Sequence, residues 1–201
     1  IDLYPVWNRA KNVPIKLRVY GETADRESRI EERAEGMQKS YTTTILGRDG
    51  GTVRPNELSS YIEGIINSRV YSEENIEIRH QGERKELNEQ VEIKLSKTQT
   101  SLTFELYLKR QIRTITLDTD KEVSVSKVRG GRVKNDNKTI EFRHGYRFIG
   151  DETPTVGNTA EDEFKGWLKG SDPYKFDSSN TVIESVTLKP NMQKKYATVN
   201  I

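Results

Sequence analysis

The strongest constraint on how this chain can fold is the form its apolar residues take: short runs in which every second residue is apolar. Ile15, Leu17 and Val19 alternate with Lys16, Arg18 and Tyr20, and the same beat returns at Ile76/Ile78, Val91/Ile93/Leu95 and Leu102/Phe104/Leu106/Leu108. A period of two sends successive side chains to opposite faces, so each run specifies a half-buried β-strand. Tyr41 to Leu46 is β-branched, ends at Gly47 and adds another. Ile115/Leu117, Val123/Val125, Ile140/Phe142, Tyr146/Phe148 and Val182 through Leu188 continue the series. Helical spacing occurs once. Behind Pro55, the residues Leu58, Tyr61, Ile62, Ile65 and Ile66 fall at i, i+3, i+4, i+7 and i+8, which predicts an amphipathic helix over about 55–68.

Only 47 of the 201 residues are Leu, Ile, Val or Phe, enough to fold but thin for one large core. Two small modules fit better. The expected fold class is α+β and β-rich, with two small tandem modules: residues 9–112 with the helix, then residues 113–192. Asp49-Gly50-Gly51 marks a turn, and Gly130-Gly131 between Val128 and Val133 reads as the turn of a hairpin. From Leu108 to Ile115 the chain passes almost directly from strand to strand, which predicts a stiff junction.

Several chemistries are excluded by residue type. The chain has no Cys, so it has no disulfide, thiol nucleophile or Cys-based zinc site. Its two histidines, His80 and His144, are too far apart for a His-x-x-x-His pair and read as surface residues. No serine sits in Gly-x-Ser-x-Gly, and no glycine-rich loop opens a helix. The acidic pairs Glu31-Glu32, Glu73-Glu74 and Asp151-Glu152 lie in polar context and read as solvated. No catalytic residue, cofactor or metal site is expected. The 33 basic against 31 acidic residues give +2, unlike a nucleic-acid binder, and no apolar run is long enough to span a bilayer. A monomer with neither nucleic acid nor membrane insertion is the expectation.

The two ends of the chain echo each other. Ile1-Asp2-Leu3-Tyr4-Pro5-Val6-Trp7-Asn8 and Val186-Thr187-Leu188-Lys189-Pro190-Asn191-Met192-Gln193 share an alternation, a Leu and a Pro at an offset of 185 residues. Residues 1–8 are therefore expected to be the last strand of a preceding repeat, and 193–201 the start of the next. Phe164-Lys165-Gly166-Trp167-Leu168, Tyr174-Lys175-Phe176-Asp177 and Val186-Thr187-Leu188 resemble the C-terminal half of the Listeria–Bacteroides repeat of internalin stalks and other bacterial surface proteins. Ile1 to Trp7 resembles that family's last strand. The likeness covers residues 113–192 and 1–7. It departs at Asp162-Glu163 and at Lys189 to Met192, which lacks the aromatic terminus. It implies a β-grasp-like second module. Residues 9–112 resemble, more loosely, mucin-binding-type modules of Gram-positive adhesins.

The resemblance implies a non-catalytic repeat of an extracellular, wall-attached or secreted bacterial protein. Its partners would be neighbouring repeats and, where it is adhesive as well as a spacer, a host glycan, mucin or surface protein. A Lys–Asn isopeptide bond stays open. The alternative is a carbohydrate-binding module of a secreted enzyme, with Trp167, Tyr174 and Tyr146 as the sugar platform. Core packing is the other role for such rings, with Gly166 allowing a turn between Phe164 and Trp167. Charge offers one further candidate. Residues 121–147 hold eight Lys/Arg against three acids, whereas 150–180 hold seven acids against three lysines. Lys127, Arg129, Arg132, Lys134, Arg143 and Arg147 form a possible basic face for an anionic polymer, or a solubilising face beside the acidic segment.

Overall fold

The computed structural model describes residues 11–25, 29–47, 52–74, 76–85, 93–95 and 101–196. The chain divides into two units: Ile1–Glu22 with Arg29–Arg110, and Thr23–Ser28 with Gln111–Ile201. Residues 1–8 and the turn at 49–51 lie outside the described residues.

The first unit contains β1 (Lys11–Glu22), β2 (Ile30–Glu31), β3 (Ser40–Gly47), β4 (Thr52–Val53), α1 (Ser59–Ile65), β5 (Glu77–His80), β6 (Glu83–Lys85), β7 (Ile93–Lys94) and β8 (Leu102–Leu108). Its main sheet runs β2-β1-β8-β5-β6, with β3 also on β1. Alternation does what the sequence asks of it. Val13, Ile15, Leu17 and Val19 of β1 and Leu102, Phe104, Leu106 and Leu108 of β8 are buried, and the residues between them face outward. The strand also starts earlier than its apolar run, crossing Pro14. Proline has no N–H to give, yet Pro14 faces Thr44 of β3 at a point where β8 has not begun to pair, so no ladder bond is lost on that side.

The second unit contains β9 (Ile112–Leu117), β10 (Val123–Ser124), β11 (Arg132–Val133), β12 (Thr139–Arg143), β13 (Tyr146–Arg147), β14 (Thr155–Val156), β15 (Asp162–Lys169), β16 (Asp172–Tyr174), β17 (Thr181–Val182) and β18 (Val186–Lys194). The main sheet runs β11-β12-β9-β18-β15-β16, and β10–β14 and β13–β17 form two-stranded pairs. Gln193 and Lys194, placed by the sequence reading at the start of a following repeat, are the last residues of β18 and pair with Glu163 and Asp162.

Aromatic rings fill this second core. Phe142 stacks on Tyr146 at 5.2 Å, Phe148 meets both edge-on, and Phe176 links Phe148 to Tyr174. Trp167 is 1% exposed and its Nε1–H donates to the Pro154 carbonyl at 2.7 Å. Phe164, half-buried, meets it edge-on at 5.6 Å. Gly166 makes that possible by conformation: it has φ +126°, a region side chains rarely adopt, and it lies where the β15–β18 register breaks between Phe164 and Trp167.

The α+β expectation is wrong, and with it the β-grasp-like second module. The protein is mostly β, and no helix occurs in residues 111–196. The helix expected over 55–68 is a 3-10 turn, Pro55–Leu58, followed by the seven residues of α1. Its buried face is the one the spacing selects, with Leu58, Ile62 and Ile66 inside. Its length is not. No side chain caps its start, Gly64 weakens its last turn, and β-branched Ile66 is already extended. The hairpin turn is also misplaced. β11 and β12 are joined by residues 134–138, where Asp136 accepts from the Lys138 and Thr139 N–H groups and Asn137 takes φ +52°.

Replacing Trp167 by Ala removes the largest side chain of the second core and its hydrogen bond. The expected loss is about 3–5 kcal/mol. Calorimetric unfolding of the variant against the parent checks it, and a loss below about 1 kcal/mol would contradict the packing described.

Candidate functional site

The candidate site lies on the second unit's main sheet and begins with a buried carboxylate. Glu152 is fully buried and its neighbour Asp151 is exposed, whereas the sequence places both on a solvated surface. A buried charge is costly unless hydrogen bonds replace its water. Glu152 has four donors. Tyr146 Oη–H and the Ile149 N–H reach Oε1 at 2.7 and 2.8 Å, and the N–H groups of Arg129 and Gly130 reach Oε2 at 2.8 and 3.4 Å. None of these is a lysine Nζ, so this acid is not set beside an isopeptide-forming amine. Burial, then the Glu152 carboxylate, hold the Tyr146 phenol above the ordinary phenol range.

The carboxylate fixes the loop before β11, and this explains Gly130-Gly131. A Cβ on Gly130 would stand 1.9 Å from Tyr146 ring carbons, and one on Gly131 would stand 2.5 Å from Ile140 Cγ2. The pair is needed for close approach, not for the reversal of a hairpin. Held against the sheet, the two glycines form one wall of a cleft of about 420 Å³, lined also by Ile112, Arg132, Glu141 and Arg143. Strand register explains the grouping: Arg132 faces Glu141 across β11–β12, and Arg143 faces Ile112 across β12–β9. Ile140 and Phe142 point into the core, leaving Glu141 and Arg143 on the other face.

The six basic residues do not all gather at this cleft. Arg132 and Arg143 line the cleft, and Lys134 sits beside it, paired to Glu141 at 2.7 Å. Lys127, Arg129 and Arg147 are not among its lining residues. Lys127 pairs with Asp151 at 2.7 Å, which with Thr153 holds that carboxyl below its usual range. Arg147 Nε–H donates to the Ser178 carbonyl from β13, which pairs with β17 outside the main sheet. Arg143 also donates to the Asp25 carbonyl. The cleft thus offers two guanidinium groups, one carboxylate already paired to a lysine, and an isoleucine 53% exposed. That combination suits an anionic group carried on an apolar or sugar frame.

The three rings of the sugar-platform alternative do not form one. Trp167 and Tyr146 are buried, and only Tyr174 reaches a surface cleft, of about 360 Å³, beside Lys169, Asn180, Ile183 and Glu184. The histidines also depart from expectation. His80 is buried, its Nδ1 3.0 Å from the Thr103 carbonyl and its ring 5.1 Å from Phe104. His144 receives the Arg113 Nε–H at 3.2 Å. Among the described residues no group of three or more His, Asp or Glu is placed to hold a metal ion, and no helix is long and apolar enough to cross a membrane.

One surface escapes the sequence reading. On the outer face of the first unit, Tyr20 and Tyr107 stack at 4.9 Å with Arg79 4.6 Å over Tyr107, and Arg18 and Arg79 flank Glu105 in register. The signal is present in the chain, because these are the polar members of the alternating runs.

No protein-family model matches the chain, and comparison with curated proteins and with solved structures found no significant match.

The Glu152 arrangement makes two checkable statements. Glu152→Gln keeps the shape but leaves donors facing an amide N–H, so the second unit should lose about 1–3 kcal/mol in chemical denaturation. Tyr146 should titrate late. A phenol held above its unfolded value stabilises the fold below about pH 10 and loses that contribution as pH rises through the folded value. Tyrosinate absorbance should show Tyr146→Phe lacking one late-titrating group; an unchanged late step would contradict the assignment.

Proposed function

We propose that this chain is a non-catalytic tandem-repeat unit of a bacterial cell-surface protein, a spacer that also makes weak contacts of its own with an anionic glycan, mucin or surface protein. One observation carries the reading. Among the described residues, the first and last strands of each unit are parallel neighbours: β1 beside β8, and β9 beside β18. A strand that enters and a parallel neighbour that leaves put the unit's two ends at opposite ends of one sheet. Such a unit carries the chain forward by the length of its strands, about 23 Å for seven paired residues. Antiparallel terminal neighbours would instead return the chain to its starting side. Only Lys109 to Gln111 lie between β8 and β9, so one unit's last strand leads into the next unit's first.

Contact with a ligand falls to the cleft at Arg132 and Arg143. One exposed and one half-buried guanidinium, their attraction screened within about 8–10 Å, give weak affinity per copy, and a tandem array multiplies it.

Two measurements test the reading. Antibody raised against residues 111–196 should label intact source cells; labelling only after permeabilisation would overturn the surface placement. The chain should be retained on heparin at low salt, and Arg132→Ala with Arg143→Ala should elute at distinctly lower salt. Unchanged elution would remove the cleft from the adhesive role and leave the spacer alone.

A further inference from the structure

We infer that each unit is a mechanical clamp whose terminal strand pair is loaded in shear when the chain is pulled, and that the second unit is the weaker clamp and opens first. The inference rests on the spacer reading for the source of tension and adds a function to it: holding that tension without unfolding.

The register supplies the argument. β1 and β8 run parallel and in step from Ile15↔Leu102 to Gly21↔Leu108, seven positions. β9 and β18 pair over three, Ile115↔Val186 to Leu117↔Leu188. Two bonds extend the shorter pair: Asp118 N–H to the Leu188 carbonyl at 2.8 Å and Thr114 N–H to Ser185 Oγ at 3.0 Å. Tension draws the first strand back toward its start and the last strand forward toward its end. In a parallel pair these pulls oppose one another along the strands, so every bond of the evenly spaced ladder resists at once. In an antiparallel terminal pair the same tension would act at one end, and the bonds would break in succession.

Two features close the other routes of failure. None of the four strands is free to peel away as an edge. β3 flanks β1, β5 flanks β8, β12 flanks β9 and β15 flanks β18. Sliding also drags buried side chains past each other: Ile15, Leu17 and Val19 against Leu102, Phe104 and Leu106 in one unit, Leu117 against Leu188 in the other. With seven positions against three and their two flanking bonds sharing the load, the first unit should bear the larger force.

Single-molecule pulling tests this directly. The chain contains no cysteine, so introduced pairs are unique handles. In the second unit, Gln111→Cys with Lys195→Cys loads β9 and β18 in shear. Asp118→Cys with Lys189→Cys, at exposed positions where the two strands finish their pairing, pulls them apart from one end. The expected result is a several-fold higher rupture force for the first pair at equal loading rate. Equal forces in both directions would overturn the clamp. A second measurement needs no substitution inside either unit. The chain held at its ends should open in two steps, first releasing about 290 Å of extended chain and then about 340 Å. The reverse order would overturn the ranking. Failure here is distinct from failure of the spacer reading. A chain that labels intact cells but peels easily is a spacer without a clamp, and one that shears but never labels is a clamp without the proposed location.

Discussion

The parallel contact between the first and last strand of each unit is the constraint on which the rest of the structure depends. It joins residues about as far apart as each unit allows, Ile15 with Leu102 and Ile115 with Val186. Closing loops of that length costs on the order of 4 kcal/mol each in chain entropy, before any bond is made. The contact forms because of what it buries. Seven large side chains go inside within the parallel-paired stretch of β1 and β8. In the second unit only Ile115, Leu117, Val186 and Leu188 do so at the pair itself. The difference is made up by rings packed around it, Trp167 and Phe142 among them. Prolines respect the same constraint. Pro14 precedes the parallel pairing of β1, and Pro190 follows that of β18, so each stands where one flank of its strand needs no donor.

With the centre of each sheet fixed, the irregular segments are held by polar groups taken inside. Glu152 gathers a phenol and three N–H groups and pins the loop 129–130 over Tyr146. Arg110 plays a similar role in the first unit, buried to 6%, with Nη2 on Glu35 at 2.6 Å, Nε on the Glu22 carbonyl at 2.8 Å, and its guanidinium over Tyr71. Each satisfies several groups from segments distant in sequence. Either, if truncated, would leave those groups without partners, and that penalty exceeds the net worth of the bonds themselves.

This division explains which regions of the molecule are legible in the sequence. Strands such as Leu102 to Leu108 are legible because alternation is a local signal and the sheet only has to accept it. The buried face of α1 is legible for the same reason, but its end is not, since Gly64 and β-branched Ile66 stop the helix while the apolar spacing continues. Glu152 and His80 are illegible because their burial is decided by partners 3 to 23 residues away, with nothing in the adjacent sequence to distinguish Glu152 from exposed Asp151. Gly130-Gly131 stands out but misleads: adjacent glycines mark either a turn or a close approach, and only the Tyr146 ring beneath them decides which. Proline-containing strands read short for a related reason. A rule against proline in strands applies to positions flanked on both sides, and the flanks belong to the topology.

The charged segments show how far such a reading can carry toward a site. A net of +5 over residues 121–147 beside −4 over residues 150–180 looks like a binding face next to its complement. Much of the basic excess is instead answered within the unit. Lys127 meets Asp151, Lys134 meets Glu141, and Arg147 turns to the Ser178 carbonyl. These are exposed or half-buried surface contacts, each worth about 1 kcal/mol or less, so they set direction more than stability. What they do is select. A ligand approaching this surface must compete with a carboxylate wherever a lysine is already paired, whereas Arg132 stands in register with Glu141, a carboxylate that Lys134 has engaged. The attraction left over is local and screened by salt.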